Sequence, residues 1–383
     1  MTIRLYDQDS SLLTFTATVT ACGPRKGGGW DITLDRTAFF PEGGGQCADH
    51  GLLGGVHVLD AHESGGEVHH YTDAPLPVGE RVEGHVDSAR RLEMMQQHSG
   101  EHIFSGLVHK LFGYDNVGFH IGSEAVTMDF NGPLTDEDAR RIEWLANEAI
   151  WANLPVHTVI PSRNELESMT YRSKKAIDGD VRIVSIEGVD SCACCGTHVK
   201  MTGSIGQIKL LGVQKYKSGV RVSILCGGRA LEHENAVQDQ IRRASVALSA
   251  QQREVADTVE RLLFERDRLR AENDALGMRI FAMLAEREQS EAARVVACDA
   301  LPASNARKAA GKLCEGAQFG LVLIPRETGW SFALASLVRD VRPVVRALCD
   351  AFGGKGGGPK DMAQGVLSTG SEAALRAKLR ELL

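Results

Sequence analysis

No run of about 18 uncharged apolar residues occurs in the 383-residue chain, which excludes a membrane-spanning helix. The N-terminal stretch MTIRLYDQDS lacks the basic and apolar blocks of a secretory signal, so a cytoplasmic protein is expected. Basic charge is also short. With 43 Lys and Arg against 50 Asp and Glu, the formal charge of −7 argues against a protein that coats nucleic acid, because neutralising phosphates takes basic residues in excess. Cysteine is too sparse for a disulfide scaffold: there are nine, and three of them (Cys192, Cys194, Cys195) crowd into four positions, a density that suits a metal. What is present is ordinary globular chemistry, 43% hydrophobic and 24% charged, enough for roughly two to four packed units.

The average charge hides an asymmetry. From residue 293 onward, thirteen Lys and Arg face eight Asp and Glu, so this stretch carries +5 and the remainder −12. A polyanion should prefer the C-terminal part.

Residues 1–86 show short runs of alternating apolar character, such as 13–19 and 30–34, separated by glycine-rich turns, a pattern that predicts a small β-barrel. Asp87 can cap a helix running to about Phe112, with Gly113 as its left-handed stop, and a second helix begins near Thr135 with Asp138 as capping-box partner. Strand-like runs follow at 156–160, 181–186, 207–213 and 220–225 without regular βαβ alternation, so residues 87–228 read as an α+β domain. Residues 229–292 are charged and free of proline, and Ile241, Leu248, Val255, Leu262, Leu269, Leu276 and Met283 recur every seven positions. That spacing predicts a long helix seeking a partner seam. The companion positions are mixed, Val259 and Ile280 apolar but Gln238, Ser245, Gln252, Arg266 and Asn273 polar, so three readings stand: an intramolecular hairpin, a dimeric coiled coil, or a helix lying on its own domain. Residues 293–383 alternate strands (295–298, 319–324, 330–334) with helices and end in a glycine-rich loop, GGKGGGPKDMAQG, and a terminal helix, a separate α/β domain.

Two motifs carry chemistry. In HSGEH, His98 and His102 stand four apart on the expected helix, which stacks both imidazoles on one face at metal-ligand spacing. In CACCGTH, Cys194 and His198 form C-x-x-x-H on an expected tight loop after the strand ending near Ile186, where Gly196 lets the chain bend. Three imidazoles and one thiolate suit Zn²⁺ far better than Mg²⁺ or Ca²⁺. A purely structural zinc with all four positions filled is the competing reading.

HSGEH with CCGTHVKMTGSIG resembles the paired signature of the alanyl-tRNA synthetase editing domain and of its free-standing relatives, the AlaX group. Upstream, DRTAFFPEGGGQCADHG resembles the glycine-rich element of that domain, and downstream GGKGGGPKDMAQG resembles the loop of the synthetase's C-terminal domain, called DHHA1. The resemblance implies an order of barrel (1–86), zinc-dependent editing core (87–228), helical spacer (229–292) and DHHA1-like domain (293–383). It implies an enzyme that deacylates mischarged tRNA-Ala, carrying serine or glycine, in trans. No P-loop ending in G-K-[ST] is present for handling ATP.

By the same resemblance, His98, His102, Cys194 and His198 hold the zinc, with Cys192 and Cys195 as neighbouring thiols able to substitute. Thr37 becomes the sensor of the serine hydroxyl, flanked by Gln46, and the amides of Gly43, Gly44 and Gly45 are donors to a developing oxyanion. Glu101 is the candidate base on its own chemistry rather than by the resemblance. Lys355 and Lys360 become contacts to the tRNA backbone, and some forty helical residues span on the order of 60 Å, comparable with one arm of a tRNA. A homodimer through the spacer or the C-terminal domain is a further expectation. Two rivals remain: a non-catalytic zinc-containing RNA-binding protein of the same fold, and a zinc peptidase, since His98, Glu101 and His102 also satisfy H-x-x-E-H. A phosphoesterase of the DHH type is excluded by the absence of any Asp-His-His triplet.

Overall fold

In the computed structural model, which describes residues 1–173 and 181–383, the chain divides into two compact units, Met1–Gln240 and Ile241–Leu383. Both mix helices with sheets, so the protein is of the α+β class.

The first unit opens with a barrel. Strands Thr14–Pro24, Trp30–Leu34, Glu67–Thr72, Val56–Ser64, Gly51–Leu53 and Arg81–Val86 pair in that order and return to the first, every pairing antiparallel. Alternation drives the closure: Phe15, Ala17 and Val19 on the first strand and Val82 and Val86 on the last are buried together with Ile32, Leu34, Leu53 and Val58. Each large side chain so buried contributes about 1.5–3 kcal/mol. An ion pair fastens the barrel to the next element. Arg91 and Asp49 are both fully buried, and the guanidinium also donates to the carbonyls of Ala38 (2.6 Å) and Ser10 (2.7 Å), so the charge is paired and hydrogen-bonded.

Helix Ser88–Phe112 starts where Asp87 accepts the amides of Ala89 and Arg90, and stops at Gly113 with φ 70°. Helix Asp136–Trp151 starts on a reciprocal box in which Thr135 and Asp138 each accept the other's amide. Both helices pack into one core with an antiparallel sheet ordered Ile208–Tyr216, Gly219–Cys226, Val126–Phe130, Asn116–Ile121; its members include Ile103, Phe104, Ile142, Val222 and Ile224. A second antiparallel sheet holds Val156–Val159, Ile183–Ile186 and Asp190–Ala193. The last of these corrects the sequence reading of the metal loop. Cys194 does not follow directly from the strand ending at Ile186; a hairpin returns through Asp190–Ala193 and delivers Cys194 at that strand's end.

The helical spacer is broken into two helices, Gly227–Leu248 and Val255–Ala285, parted by Ser249 at φ 50°. Ser245 stabilises the break by donating its hydroxyl to the Ala250 carbonyl at 2.6 Å. Leu262, Leu269, Leu276 and Met283 of the seven-residue series are exposed, whereas Phe281, outside that series, is buried against Val296, Leu301 and Ala306. The C-terminal end of the second helix therefore packs on its own unit.

The rest of that unit is a five-stranded sheet ordered Ala293–Ala297, Phe319–Pro325, Trp330–Ala335, Met362–Leu367, Gly354–Gly357, the first pair parallel and the others antiparallel. Helices Ala306–Leu313, Arg342–Phe352 and Glu372–Glu381 accompany it, and its apolar side chains fall into two clusters. The glycine-rich segment is thus not a loop: it forms an edge hairpin, with Lys355 on the edge strand and Lys360 in the connection, both exposed. Among the described residues no helix is long and apolar enough to cross a membrane.

Candidate metal centre

His98, His102, Cys194 and His198 converge, their ligand atoms all within 4.8 Å of one another. The helix supplies the first two one turn apart, with ring centroids 5.4 Å from each other; the imidazole of His198 sits 4.6 Å from both. Sγ of Cys194 is 3.4 Å from Nε2 of His98 and 3.4 Å from Nε2 of His198. Nitrogen and sulfur ligands on one tetrahedral zinc, at bonds of about 2.0 and 2.3 Å, lie about 3.5 Å apart, so these donors fit the ion in type and in spacing.

Each imidazole is held by its other nitrogen. Nδ1 of His98 lies 2.8 Å from Oε1 of Gln46, Nδ1 of His102 lies 2.9 Å from Oδ2 of Asp190, and Nδ1 of His198 lies 3.1 Å from the Ser99 hydroxyl. An amide oxygen and a carboxylate can only accept, which puts the hydrogen on Nδ1 of His98 and His102 and leaves Nε2 bare toward the sulfur. The three histidines are 1%, 2% and 4% exposed, and Cys194 is the one member of the quartet that is not fully buried.

Electrostatics prepare the cluster for a cation. Burial alone would raise the Cys194 thiol, but His98, His102 and His198 outweigh it and hold the group well below the usual thiol range. Burial opposes charge on His102, yet the adjoining thiolate and the Asp190 carboxylate push it well above the ordinary imidazole value. His198 is pushed down to about 3, chiefly by burial, with His102 and His98 adding to the drop against the thiolate. A thiol held low and imidazoles anchored at Nδ1 offer a cation a sulfur and nitrogens that need not first be stripped of tightly held protons.

The remaining sequence candidates fall into place unevenly. Glu101 is fully buried: Ser105 and Asn116 donate to Oε1 at 2.7 and 2.6 Å, and Oε2 lies 3.9 Å from Nε2 of His102. Gln46 does more than flank a glycine element, since beside His98 it also donates to the Thr197 hydroxyl at 2.8 Å. Gly44 and Gly45 take φ 60° and 86° in a tight turn closed by Gly43 and Gln46, which favours glycine at both, and at Gly45 a Cβ would also stand 2.6 Å from the Phe119 ring. The Gly43 amide donates within that turn to the Gln46 carbonyl at 3.0 Å. Beside the turn is a cavity of about 430 Å³ whose wall includes Cys47, His62 and His120. Gly196 has a different reason from the bend expected of it: a Cβ there would stand 2.1 Å from Cε1 of His98.

Thr37 is fully buried in the barrel, where its hydroxyl lies 2.8 Å from Nε2 of His70 and accepts the Phe39 amide at 3.1 Å. Because Nδ1 of His70 donates to the Ile32 carbonyl at 3.0 Å, the hydroxyl hydrogen of Thr37 points to Nε2. Cys192 is buried beside His102 and Asp190, outside the quartet, while Cys195 is exposed. Lys355 and Lys360 belong to the other unit. Asp190, Ser99, Thr197 and His70 have no counterpart in the sequence reading; the available signals are that Ser99 lies inside HSGEH, Thr197 inside CACCGTH and Asp190 four residues before Cys194. The third and fourth positions of the cluster are Cys194 and His198, not the glutamate that an H-x-x-E-H peptidase would need.

Residues 181–243 match the family model described as the threonyl and alanyl tRNA synthetase second additional domain. The chain is 35% identical over 245 residues to alanyl-tRNA editing protein Aarsd1 of Mus musculus, covering 60% of each chain. It is 32% identical over 271 residues to Aarsd1-A of Xenopus laevis, covering 70% of this chain and 66% of that one. It is 35% identical over 262 residues to the alanine–tRNA ligase of Ignicoccus hospitalis, covering 65% of this chain and 28% of the ligase. The match spans about 60% of the mouse relative's length. With its His/Cys quartet and these likenesses, the chain belongs to the family of alanyl-tRNA editing proteins of the AlaX type.

Proposed function

We propose that this chain is an aminoacyl-tRNA deacylase that hydrolyses the ester of tRNA-Ala mischarged with serine or glycine, with His98, His102, Cys194 and His198 holding Zn²⁺. The observation that carries it is the convergence of three Nδ1-anchored imidazoles and one low-pKa thiol beside the buried carboxylate of Glu101. A zinc bound there supplies Lewis-acid polarisation of the ester carbonyl or a water of lowered pKa.

The chain's own residues do the rest. Glu101, fixed through Oε1 and 3.9 Å from the metal-facing nitrogen of His102 through Oε2, accepts the proton of the attacking water. With the Gly43 amide donating within the turn, Gly44 and Gly45 are the amides that stabilise the oxyanion. Thr37, whose hydrogen is committed to His70, senses serine by accepting a hydrogen bond from the substrate hydroxyl, which alanine and glycine lack. In the second unit, a DHHA1-like domain after the helical spacer, Lys355 and Lys360 bind the tRNA backbone, in keeping with the +5 charge of residues 293–383. The activity is cytoplasmic.

The test is deacylation of Ser-, Gly- and Ala-tRNA-Ala with and without a zinc chelator. Loss of serine or glycine, retention of alanine and abolition by chelator support the reading. Equal loss of all three, or activity indifferent to chelation, contradicts it.

A further inference from the structure

His102 differs from its two companions in what holds it. The Nδ1 partners of His98 and His198 are neutral groups, Gln46 and Ser99, but that of His102 is a buried carboxylate. Both oxygens of Asp190 are in turn taken by Arg172, whose Nε donates to Oδ1 at 2.8 Å and whose Nη2 donates to Oδ2 at 2.9 Å. The Asp190 side chain is 2% exposed and that of Arg172 is 11% exposed, so the planar two-point contact is shielded from water. Asp190 gets this close to the ligand helix because residue 106 is glycine; a Cβ there would come 2.6 Å from Cβ of Asp190.

We propose that Arg172 is a positioning residue of the metal centre, acting through Asp190 to fix the ring orientation and the Nδ1–H tautomer of His102. The inference rests on the zinc reading above. A carboxylate alone could rotate, or turn a single oxygen to the imidazole in more than one way. Gripped by the guanidinium at both oxygens, it offers Nδ1 one fixed acceptor, and Nε2 then faces the sulfur. A guanidinium has donors only and cannot ligate a cation, and both of its contacts here are to the Asp190 carboxylate, so its effect on the metal passes through Asp190.

The backbone of Arg172 has a separate duty. Its amide donates to the Ser191 carbonyl at 2.8 Å, and its carbonyl accepts the Ala193 amide at 2.9 Å, which braces the strand leading to Cys194. Those bonds survive any change of side chain, so substituting residue 172 isolates the guanidinium–carboxylate–imidazole relay from the strand.

The experiment measures zinc affinity by chelator competition in the full chain for wild type, Arg172→Met, Arg172→Lys, Asp190→Asn and the Arg172→Met/Asp190→Asn double variant. The expected result is a 10–100-fold weakening for Arg172→Met, the order seen when outer partners of a metal ligand are removed. Arg172→Lys, which keeps the charge but not the two-point grip, should recover part of it. The double variant should bind no more weakly than Asp190→Asn alone, since the relay is cut once. Cobalt(II) substituted into each variant reports through its visible spectrum whether the N₃S set is intact, which separates a weakened site from an unfolded one. Wild-type affinity in Arg172→Met, or losses that multiply in the double variant, would overturn the proposal. A wild-type chain that takes up no zinc would overturn the parent reading and this one with it, an outcome distinct from the other two.

Discussion

Oε1 of Gln46 lies 2.8 Å from Nδ1 of His98, 52 residues away in sequence, so the glycine-rich turn and the ligand helix meet at one hydrogen bond. The same oxygen accepts the Thr197 amide at 3.2 Å, which ties the turn to the C-x-x-x-H loop as well. One side chain thus coordinates the three segments that build the cluster.

Gln46→Leu should therefore weaken zinc binding by about 10–100-fold, because His98 loses the acceptor that fixes its tautomer. Gln46→Glu keeps that acceptor and should bind zinc within a few-fold of wild type. Chelator competition decides; equal loss in both variants would show that the amide's donor, not its oxygen, carries the effect.

Gly196→Ala should abolish metal uptake, since its methyl would stand 2.1 Å from Cε1 of the His98 ring. Gly228→Ala is the control, with nothing within 4 Å of its added Cβ, and should stay within about 0.5 kcal/mol of wild type in urea unfolding. Retention of stoichiometric zinc in Gly196→Ala would mean the loop can yield.

Legibility followed distance along the chain. The caps at Asp87, Gly113 and Thr135 with Asp138 could be read because each is a bond between near neighbours. His98 with His102 and Cys194 with His198 stood out for the same reason: a four-residue spacing is a local fact. Asp190 could not be read as a partner of His102, since the two are 88 residues apart and only the hairpin after Ile186 brings them together. The break at Ser249 was hidden because no glycine or proline marks it and the seven-residue apolar series runs straight across. The segment 353–365 reads as a loop from its glycines, yet most of it pairs as strands because Met362–Leu367 also bonds to Trp330–Ala335, a partner no local pattern reveals.

Thr37→Val should slow removal of serine more than removal of glycine, because only serine offers a hydroxyl for Thr37 to accept. The substitution also leaves Nε2 of His70 without its donor in the barrel, at a cost of about 1–3 kcal/mol, so the readout is the ratio of the two rates, which the folded fraction does not alter. An unchanged ratio would remove Thr37 from the specificity site.

Burial holds His70 at a pKa of about 4, below the ordinary imidazole value of 6.5. Between those two values the unfolded chain binds a proton that the folded chain refuses. Stability is therefore full above pH 6.5, falls as the pH drops toward 4, and loses about 3 kcal/mol from this ring by the lower limit. Urea unfolding at stepped pH should show that slope in the wild type and a flatter one in His70→Gln, whatever the variant's starting stability. Parallel slopes would mean that the His70 ring accepts a proton without cost in the folded barrel.

The account depends most on which atoms meet the metal, and X-ray absorption at the zinc edge of the intact protein tests that directly. It predicts one sulfur at about 2.3 Å and three nitrogens at about 2.0 Å, with the sulfur signal lost in Cys194→Ser and kept when Cys192 or Cys195 is replaced by serine. Two or more sulfurs in the shell, or a sulfur signal that persists in Cys194→Ser, would contradict it.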